Sequence, residues 1–307
     1  MNNCVVILGP TASGKTALAT RVAAQVNGEI ISADSRQIYQ QLNIGTGKDL
    51  HEYTVNGVRI PYHLIDHVPP ERQYYLHEFV RDLRDVFLDI TARGKLPIVC
   101  GGTGLYLDAL HKGFEWTQVP EDKAWHSLAQ QRSKEELLAE LNAFPTQFTA
   151  AVDRHSVKRI IRGIEIARYR QTHPLEATPR LDYQPFYIGT AVSREVRHQK
   201  INRRLKERLD HGLIEETQQL LAQGVSPERL DFLGLEYRYV LQHLQGKLSR
   251  EALEEELGTA IRQFSRRQMT WFRKMEKEGR HIHWLDMEQP ATATDLAIQL
   301  VKKAFSL

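Results

Sequence analysis

Near the start of the chain, Gly9-Pro10-Thr11-Ala12-Ser13-Gly14-Lys15-Thr16 has the G-x-x-x-x-G-K-[ST] spacing of a phosphate-binding loop. Its glycines let the backbone curl so that successive N–H groups of the loop point inward. The helix that follows adds its positive end. Lys15 supplies a point charge for terminal phosphates, and the Thr16 hydroxyl is placed to ligate Mg²⁺. Strand, loop and helix occur in the required order, so a chance glycine turn is a poor account of this stretch. The motif specifies a di- or triphosphate with a divalent cation and leaves open which one.

Two more residues could work beside a bound phosphate. Asp34, in ISADSRQIY (Ile31 to Tyr39), stands just past a short apolar run. In an open parallel sheet that strand end faces the ligand crevice. Asp34 suits a general base, and it suits equally the cap of a short helix, SRQIYQQL. Thr103 is balanced in the same way between N-cap of GLYLDAL and hydroxyl donor to a phosphate or amine. An apolar strand ending in Asp, which helps hold the metal in many nucleotide-hydrolysing loop proteins, is missing. Leu96 to Cys100 runs into Gly101-Gly102-Thr103, and YHLID ending at Asp66 is a poor substitute. Motor-type ATP hydrolysis loses ground accordingly.

The elements that must position these residues alternate. CVVIL, EIISA and LPIVC read as short buried strands. Between them lie GKTALATRVAAQV and a helical segment from His77 to Arg93, whose Phe79, Leu83, Val86, Phe87 and Ile90 share a stripe and which Gly94 caps. This pattern predicts an α/β core, a parallel sheet flanked by helices. After Gly113 only helical patterns follow for some fifty residues, including SKEELLAELNAF with a Ser133/Glu136 capping box. FYIGTAV returns to strand, and a long amphipathic helix runs from about Arg250 to Lys277. The expected organisation is a P-loop NTPase-like core, residues 1–113 and 186–307, with a small all-helical insertion domain, residues 114–185.

The chain has 307 residues, 41% of them hydrophobic, and a net charge of +3, which suits a globular protein of one large or two modest domains. Cys4 and Cys100 lie in apolar runs and read as buried, reduced thiols. No Cys or His spacing suggests zinc. Nothing near the first residues resembles a signal peptide, and no run approaches a membrane span, so a cytoplasmic protein without membrane partners is expected, as a monomer.

Positive charge concentrates in three helical segments. Arg154, Lys158 and Arg162 recur every four residues, with Arg159 beside them. Arg197, Lys200, Arg203, Arg204 and Arg208 form a second group; Arg262, Arg266, Arg273 and Lys277 form a third, with Phe264, Trp271, Phe272 and Met275 as its apolar face. A single such segment is best read as a solvated face with local acid partners. Three in one mildly basic chain raise the alternative of a path for a nucleic-acid backbone.

Several stretches together resemble the tRNA dimethylallyltransferase (tRNA isopentenyltransferase) family. They are GPTASGKTALA, ISADSRQIY, NIGTGK (Asn43 to Lys48), PYHLID (Pro61 to Asp66) and VCGGTGLYL (Val99 to Leu107). KRIIRGIEI (Lys158 to Ile166), INRRL (Ile201 to Leu205) and RRQMTWFRK (Arg266 to Lys274) resemble its later motifs. The resemblance covers nearly the whole chain and rests on the ordered set. It implies transfer of a dimethylallyl group from dimethylallyl diphosphate to the exocyclic amine of the adenosine 3′ of a tRNA anticodon. Carried over, Lys15 and the loop residues Gly9, Thr11, Ala12, Ser13, Gly14 and Thr16 hold the diphosphate, with Thr16 serving Mg²⁺. Asp34 takes the amine proton, Thr103 orients donor and acceptor, and Arg204 reaches the diphosphate. The segments Asp34, Ser35, Arg36, Gln37 and Lys158, Arg159, Ile160, Ile161, Arg162 meet the tRNA anticodon loop.

The chain departs from that family at LDFLGLEYRYV. Leu235 follows Gly234, and Asp231 and Phe232 stand where a basic residue is usual. Three other readings compete: a prenyltransferase of free adenine nucleotides, a P-loop kinase of a small metabolite, and a non-catalytic RNA-binding protein with a vestigial loop.

Overall fold

The computed structural model describes residues 2–110, 115–175 and 181–306. The chain divides into two compact units. One comprises Met1–Tyr74, Glu78–Leu110 and Leu181–Leu307; the other comprises Tyr75–His77 and His111–Arg180.

The first unit is built on a six-stranded, all-parallel sheet. Its strands are β1 (Asn2–Leu8), β2 (Gly28–Ser32), β3 (Tyr62–His63), β4 (Leu96–Gly101), β5 (Tyr183–Ala191) and β6 (Ile282–Asp286). Their order is β3-β2-β4-β1-β5-β6. Strand β1 is central: Val5 lies opposite Ile98 on one side and Phe186 on the other. Its residues Cys4 to Leu8 are fully buried, which is why the sequence there is continuously apolar. The connection from β1 runs to β2 on one side and that from its neighbour β5 runs to β6 on the other, so the C-terminal ends of β1 and β5 flank the point at which an open sheet forms a ligand crevice.

Helices flank the sheet: α1 (Lys15–Gln25), α2 (Leu76–Ala92) and α3 (Gly104–Ala109) in the first half of the chain. One apolar core joins β1, β2 and β4 to Leu18 and Val22 of α1 and to Ala297 and Val301 near the C-terminus. Two sequence expectations need correction. SRQIYQQL forms a turn from Ser35 to Ile38, not a helix. Its backbone bonds sideways instead: Asp66 N donates to Gln37 O, and Tyr39 bridges Val68. Strand β5 begins at Tyr183, so residues 183–185 belong to the sheet and not to the helical insertion. The boundary expected at residues 113 and 114 lies outside the described residues.

The second unit packs α4 (Lys123–Ala129), α5 (Lys134–Ala143), α6 (Thr146–Thr149) and α7 (Val157–Thr172). The capping box at Ser133 and Glu136 is present. Trp125, Leu137, Leu141, Ile160, Ile161 and Ile164 form its core.

The remaining helices of the first unit are α8 (Arg194–Asp210), α9 (Leu213–Ala222), α10 (Pro227–Leu233), α11 (Leu235–Leu244), α12 (Arg250–Lys277) and α13 (Pro290–Phe305). Ile201, Leu205 and Leu209 of α8 pack on Leu253, Leu257 and Ile261 of α12, with Ala12 of the phosphate loop against them. This cluster ties both helices to the crevice. Among the described residues, no helix is long and apolar enough to cross a membrane.

Candidate active site

The phosphate loop joins β1 to α1 and is braced from behind. Ser13 is fully buried; its hydroxyl donates to Pro10 O at 2.8 Å and bonds Thr190 Oγ1 at 2.6 Å. A Cβ at position 9 would collide with Thr190, so Gly9 is required for β5 to approach. Left-handed residues at Ala12 (φ 61°) and Gly14 (φ 84°) turn the backbone as an anion-binding nest needs. Gln268 of α12 spans the crevice: its Oε1 accepts from Thr11 N at 2.8 Å and its Nε2 donates to Gly102 O at 2.9 Å. The Thr11 amide is thus bonded to Gln268 in this structure, and Thr11 lines the cavity. Lys15 folds back, Nζ donating to Pro10 O at 3.0 Å. Burial holds its ammonium below the usual lysine range.

A cavity of about 560 Å³ opens in front of the loop. That volume suits a small ligand with a few placed polar groups. Thr11, Ala12, Lys15 and Thr16 line it from the loop, while Gly9, Ser13 and Gly14 shape the loop from behind. Asp34, Ser35, Arg36, Gln37, Thr103 and Arg204 line it too.

Both readings of Asp34 have a place in this geometry. Its Oδ1 accepts from Arg36 N at 2.9 Å and Gln37 N at 3.4 Å, capping the turn. Among the described residues nothing bonds its other oxygen. Thr103 stands at the N-cap position of α3 without capping it by its side chain. Its Oγ1 instead accepts from Ser35 N at 3.1 Å. The two turns that carry Asp34 and Thr103 are thus locked together at the mouth of β2 and β4. Asp66 does not line this cavity: it pairs with Lys48, which also donates to Tyr39 O at 2.6 Å and Asn43 Oδ1 at 3.2 Å.

Arg204 points from α8 toward the same cavity. It donates to Gly47 O at 3.4 Å and pairs with Asp49. Four residues on, Arg208 also faces inward, whereas Arg203 is exposed. The loop that meets both arginines is held by an interaction that no local pattern announces. Glu216 of α9 accepts from the backbone N–H of Asn43, Ile44 and Gly45 at 2.8–3.0 Å and from Tyr237 Oη at 2.7 Å. The divergent stretch Asp231 to Arg238 lines the cavity, including Phe232, Gly234 and Glu236. Burial raises the Glu236 carboxyl above its ordinary value. Of the apolar face of α12, Phe264 and Trp271 are cavity walls, whereas Phe272 and Met275 are fully buried.

In the helical unit the basic helix α7 departs from the sequence reading. Ile160 and Ile161 are core residues, 0% and 3% exposed, so their side chains cannot meet a ligand. Arg162 donates to Val119 O at 2.6 Å and Pro120 O at 3.3 Å and pairs with buried Glu165. Lys158 is exposed, and Arg159 is exposed with Asp153 as partner.

Fold and site together define a P-loop NTPase-like core in which a carboxylate lines the same cavity as the phosphate cradle. A family model described as IPP transferase matches residues 37–275, and one described as isopentenyl transferase matches residues 2–66. The chain belongs to the IPP transferase family. It is 47% identical over 286 residues to tRNA dimethylallyltransferase 2 of Bacteroides fragilis, covering 93% of each chain. It is similar to the crystal structure of tRNA delta(2)-isopentenylpyrophosphate transferase from Staphylococcus epidermidis, with 31% identity, a TM-score of 0.66 and coverage of 99% of this chain and 100% of that one. A eukaryotic dimethylallyltransferase acting on tRNA is 25% identical with a TM-score of 0.73, covering 94% of this chain and 74% of that one.

Proposed function

We propose that this enzyme transfers a dimethylallyl group from dimethylallyl diphosphate to the exocyclic amine of the adenosine 3′ of the anticodon in tRNA, releasing diphosphate. The observation that carries this reading is that Lys15, Thr16, Arg204, Asp34 and Thr103 all line one cavity. The names of the relatives support the same substrates.

The donor's carbon–oxygen bond breaks as the amine nitrogen bonds to the allylic carbon. The electron pair leaves with the diphosphate, and one amine proton passes to Asp34. The adenine amine is a poor nucleophile because its lone pair is delocalised, so a carboxylate that removes the proton as the bond forms is needed. Asp34 accepts it on the oxygen that the turn leaves open. Lys15, the loop amides and Arg204 meet the charge that develops on the leaving group. Thr103, through Ser35, holds the Asp34 turn in register. Among the described residues no cluster of acids, His or Cys could cage a metal alone, so Mg²⁺ would be held by Thr16 and the donor's own phosphate oxygens. When bound, it supplies further positive charge to the departing diphosphate. A flipped adenine from a single-stranded loop enters such a cavity at a cost of about a few kcal/mol.

The test incubates the enzyme with Mg²⁺, labelled dimethylallyl diphosphate and unmodified tRNA, then repeats with AMP, and with ATP in place of the donor. Label on tRNA alone is expected, with at least about a hundredfold loss in Asp34→Ala. Label on AMP, or phosphoryl transfer from ATP, would replace this reading with another.

A further inference from the structure

We propose that Arg208 is a second guanidinium for the donor's diphosphate, forming with Arg204 a two-arginine clamp that Asp49 occupies when the site is empty. The proposal rests on the donor reading above and adds a residue to it. By charge periodicity Arg208 belongs to a solvated basic stripe, and a place on an RNA path would follow. Its environment says otherwise. The Nη2 atom is buried and, among the described residues, has no hydrogen-bond partner. Asp49 Oδ2 lies 3.8 Å away, within reach of an ion pair but too far for a hydrogen bond. A buried donor left without an acceptor is costly and rare, and in a cavity wall it marks a place for a ligand acceptor.

That ligand is anionic and shares the phosphate loop. Arg204 and Arg208 line the same cavity of about 560 Å³ as Thr11, Ala12 and Lys15 of that loop. Burial and then the neighbouring Arg204 push the Arg208 guanidinium down to about 10, which leaves it charged at neutral pH. Two guanidiniums thus converge from successive turns of α8 on one carboxylate, Asp49. Position 47 lets them converge: Gly47 has φ +64°, and a Cβ there would collide with both guanidinium groups. The Arg204–Asp49 pair is about one-third exposed on each side. Pairs of that exposure contribute little, so a diphosphate displaces Asp49 readily. Planar guanidiniums bind phosphate oxygens in pairs, and the charge they meet grows as the carbon–oxygen bond breaks.

Calorimetric titration with Mg²⁺-pyrophosphate, without RNA or donor, reads this site alone. Arg208→Met is expected to weaken pyrophosphate at least tenfold, and Arg208→Lys, which keeps the charge but not the fork, by an intermediate factor. Asp49→Asn is expected to tighten it severalfold, since a competitor is removed; a merely structural Asp49 would not do so. Affinity for tRNA and its salt dependence stay unchanged in all three. Equal pyrophosphate affinity in wild type and Arg208→Met overturns the proposal. So does a loss of tRNA affinity and salt slope in Arg208→Met with pyrophosphate unaffected, which returns the residue to the RNA path. A thermal melt of Arg208→Lys alongside identifies a folding defect; if both Arg208 variants melt early, an unchanged affinity in Asp49→Asn counts against the clamp. Pyrophosphate binding that depends on Arg208 in an enzyme that prenylates no RNA leaves the anion site standing and removes the donor reading instead.

Discussion

Helices α7 and α8 carry the same signature, basic residues four apart (Lys158 and Arg162 in one, Arg204 and Arg208 in the other) among aliphatic residues, and they use it in opposite ways. In α7 the repeat closes on its own unit: Arg162 serves Val119, Pro120 and Glu165, and Arg168 pairs with Glu140 and lies 3.8 Å over the Trp125 ring. In α8 the repeat flanks the stripe formed by Ile201, Leu205 and Leu209, so Arg204 and Arg208 turn inward to the cavity. Periodicity identifies a helix face. Whether its charges are free depends on where the acids and carbonyls of other segments fall, which one helix cannot reveal.

The sharpest way to test the α8 half is Arg204→Ala. Removing one preorganised cation from a leaving diphosphate is expected to lower single-turnover transfer by roughly 10²–10³-fold. Affinity for tRNA should hold, because the guanidinium faces the phosphate loop. If tRNA affinity falls while single-turnover chemistry is untouched, α8 belongs with α7 as a basic surface and the contrast collapses.

The phosphate loop was legible because its eight residues are contiguous and each has a backbone reason for its type. The strands with unbroken apolar runs, β1, β2 and β4, were legible for the same reason. Strand β6 was not, since IHWLD buries only Ile282 and Leu285. The turn after β2 was misread because its polar residues suit a helix cap, while its backbone bonds belong to residues 66 to 68. Gln268 holds the loop from 257 residues away and Glu216 holds the Asn43 to Gly45 turn from more than 170. Spacing encodes neither. The family resemblance pointed to the segments containing Gln268 and Arg204, but only the fold separates Ile160 and Ile161, which are core, from exposed Lys158.

The α7 half is tested by a pair of substitutions that should part company. Arg162→Ala removes the partner of buried Glu165 and is expected to cost about 1–3 kcal/mol of stability. It should leave the salt dependence of tRNA binding unchanged, because that guanidinium is already bonded within its unit. Lys158→Ala should do the reverse: stability unchanged within about 0.5 kcal/mol, and a salt slope shallower by about 0.7–0.9 if the side chain meets a phosphate. Urea unfolding and binding at several salt concentrations read both. A shallower slope for Arg162→Ala would mean that its internal bonds yield to RNA.

The smallest effect concerns the acid that keeps α7 turned inward. Burial would raise the Glu140 carboxyl, but hydrogen bonds from Arg132 and Arg168 outweigh it and hold the group below its ordinary 4.5. A depressed folded value means stabilisation that is fully present above about 4.5 and is lost as pH falls through the folded value. Arg168 is 45% exposed, so solvent screening limits the contribution to about 1 kcal/mol or less. Amide hydrogen exchange in α5 and α7 is the suitable measurement, comparing wild type with Glu140→Gln at matched pH. At pH 7 wild type should be the better protected, and the advantage should shrink on the acid side of 4.5 as the carboxylate gains its proton. An advantage that is constant across that range would locate the effect in packing, and the inward turn of α7 would then owe nothing to Glu140's charge.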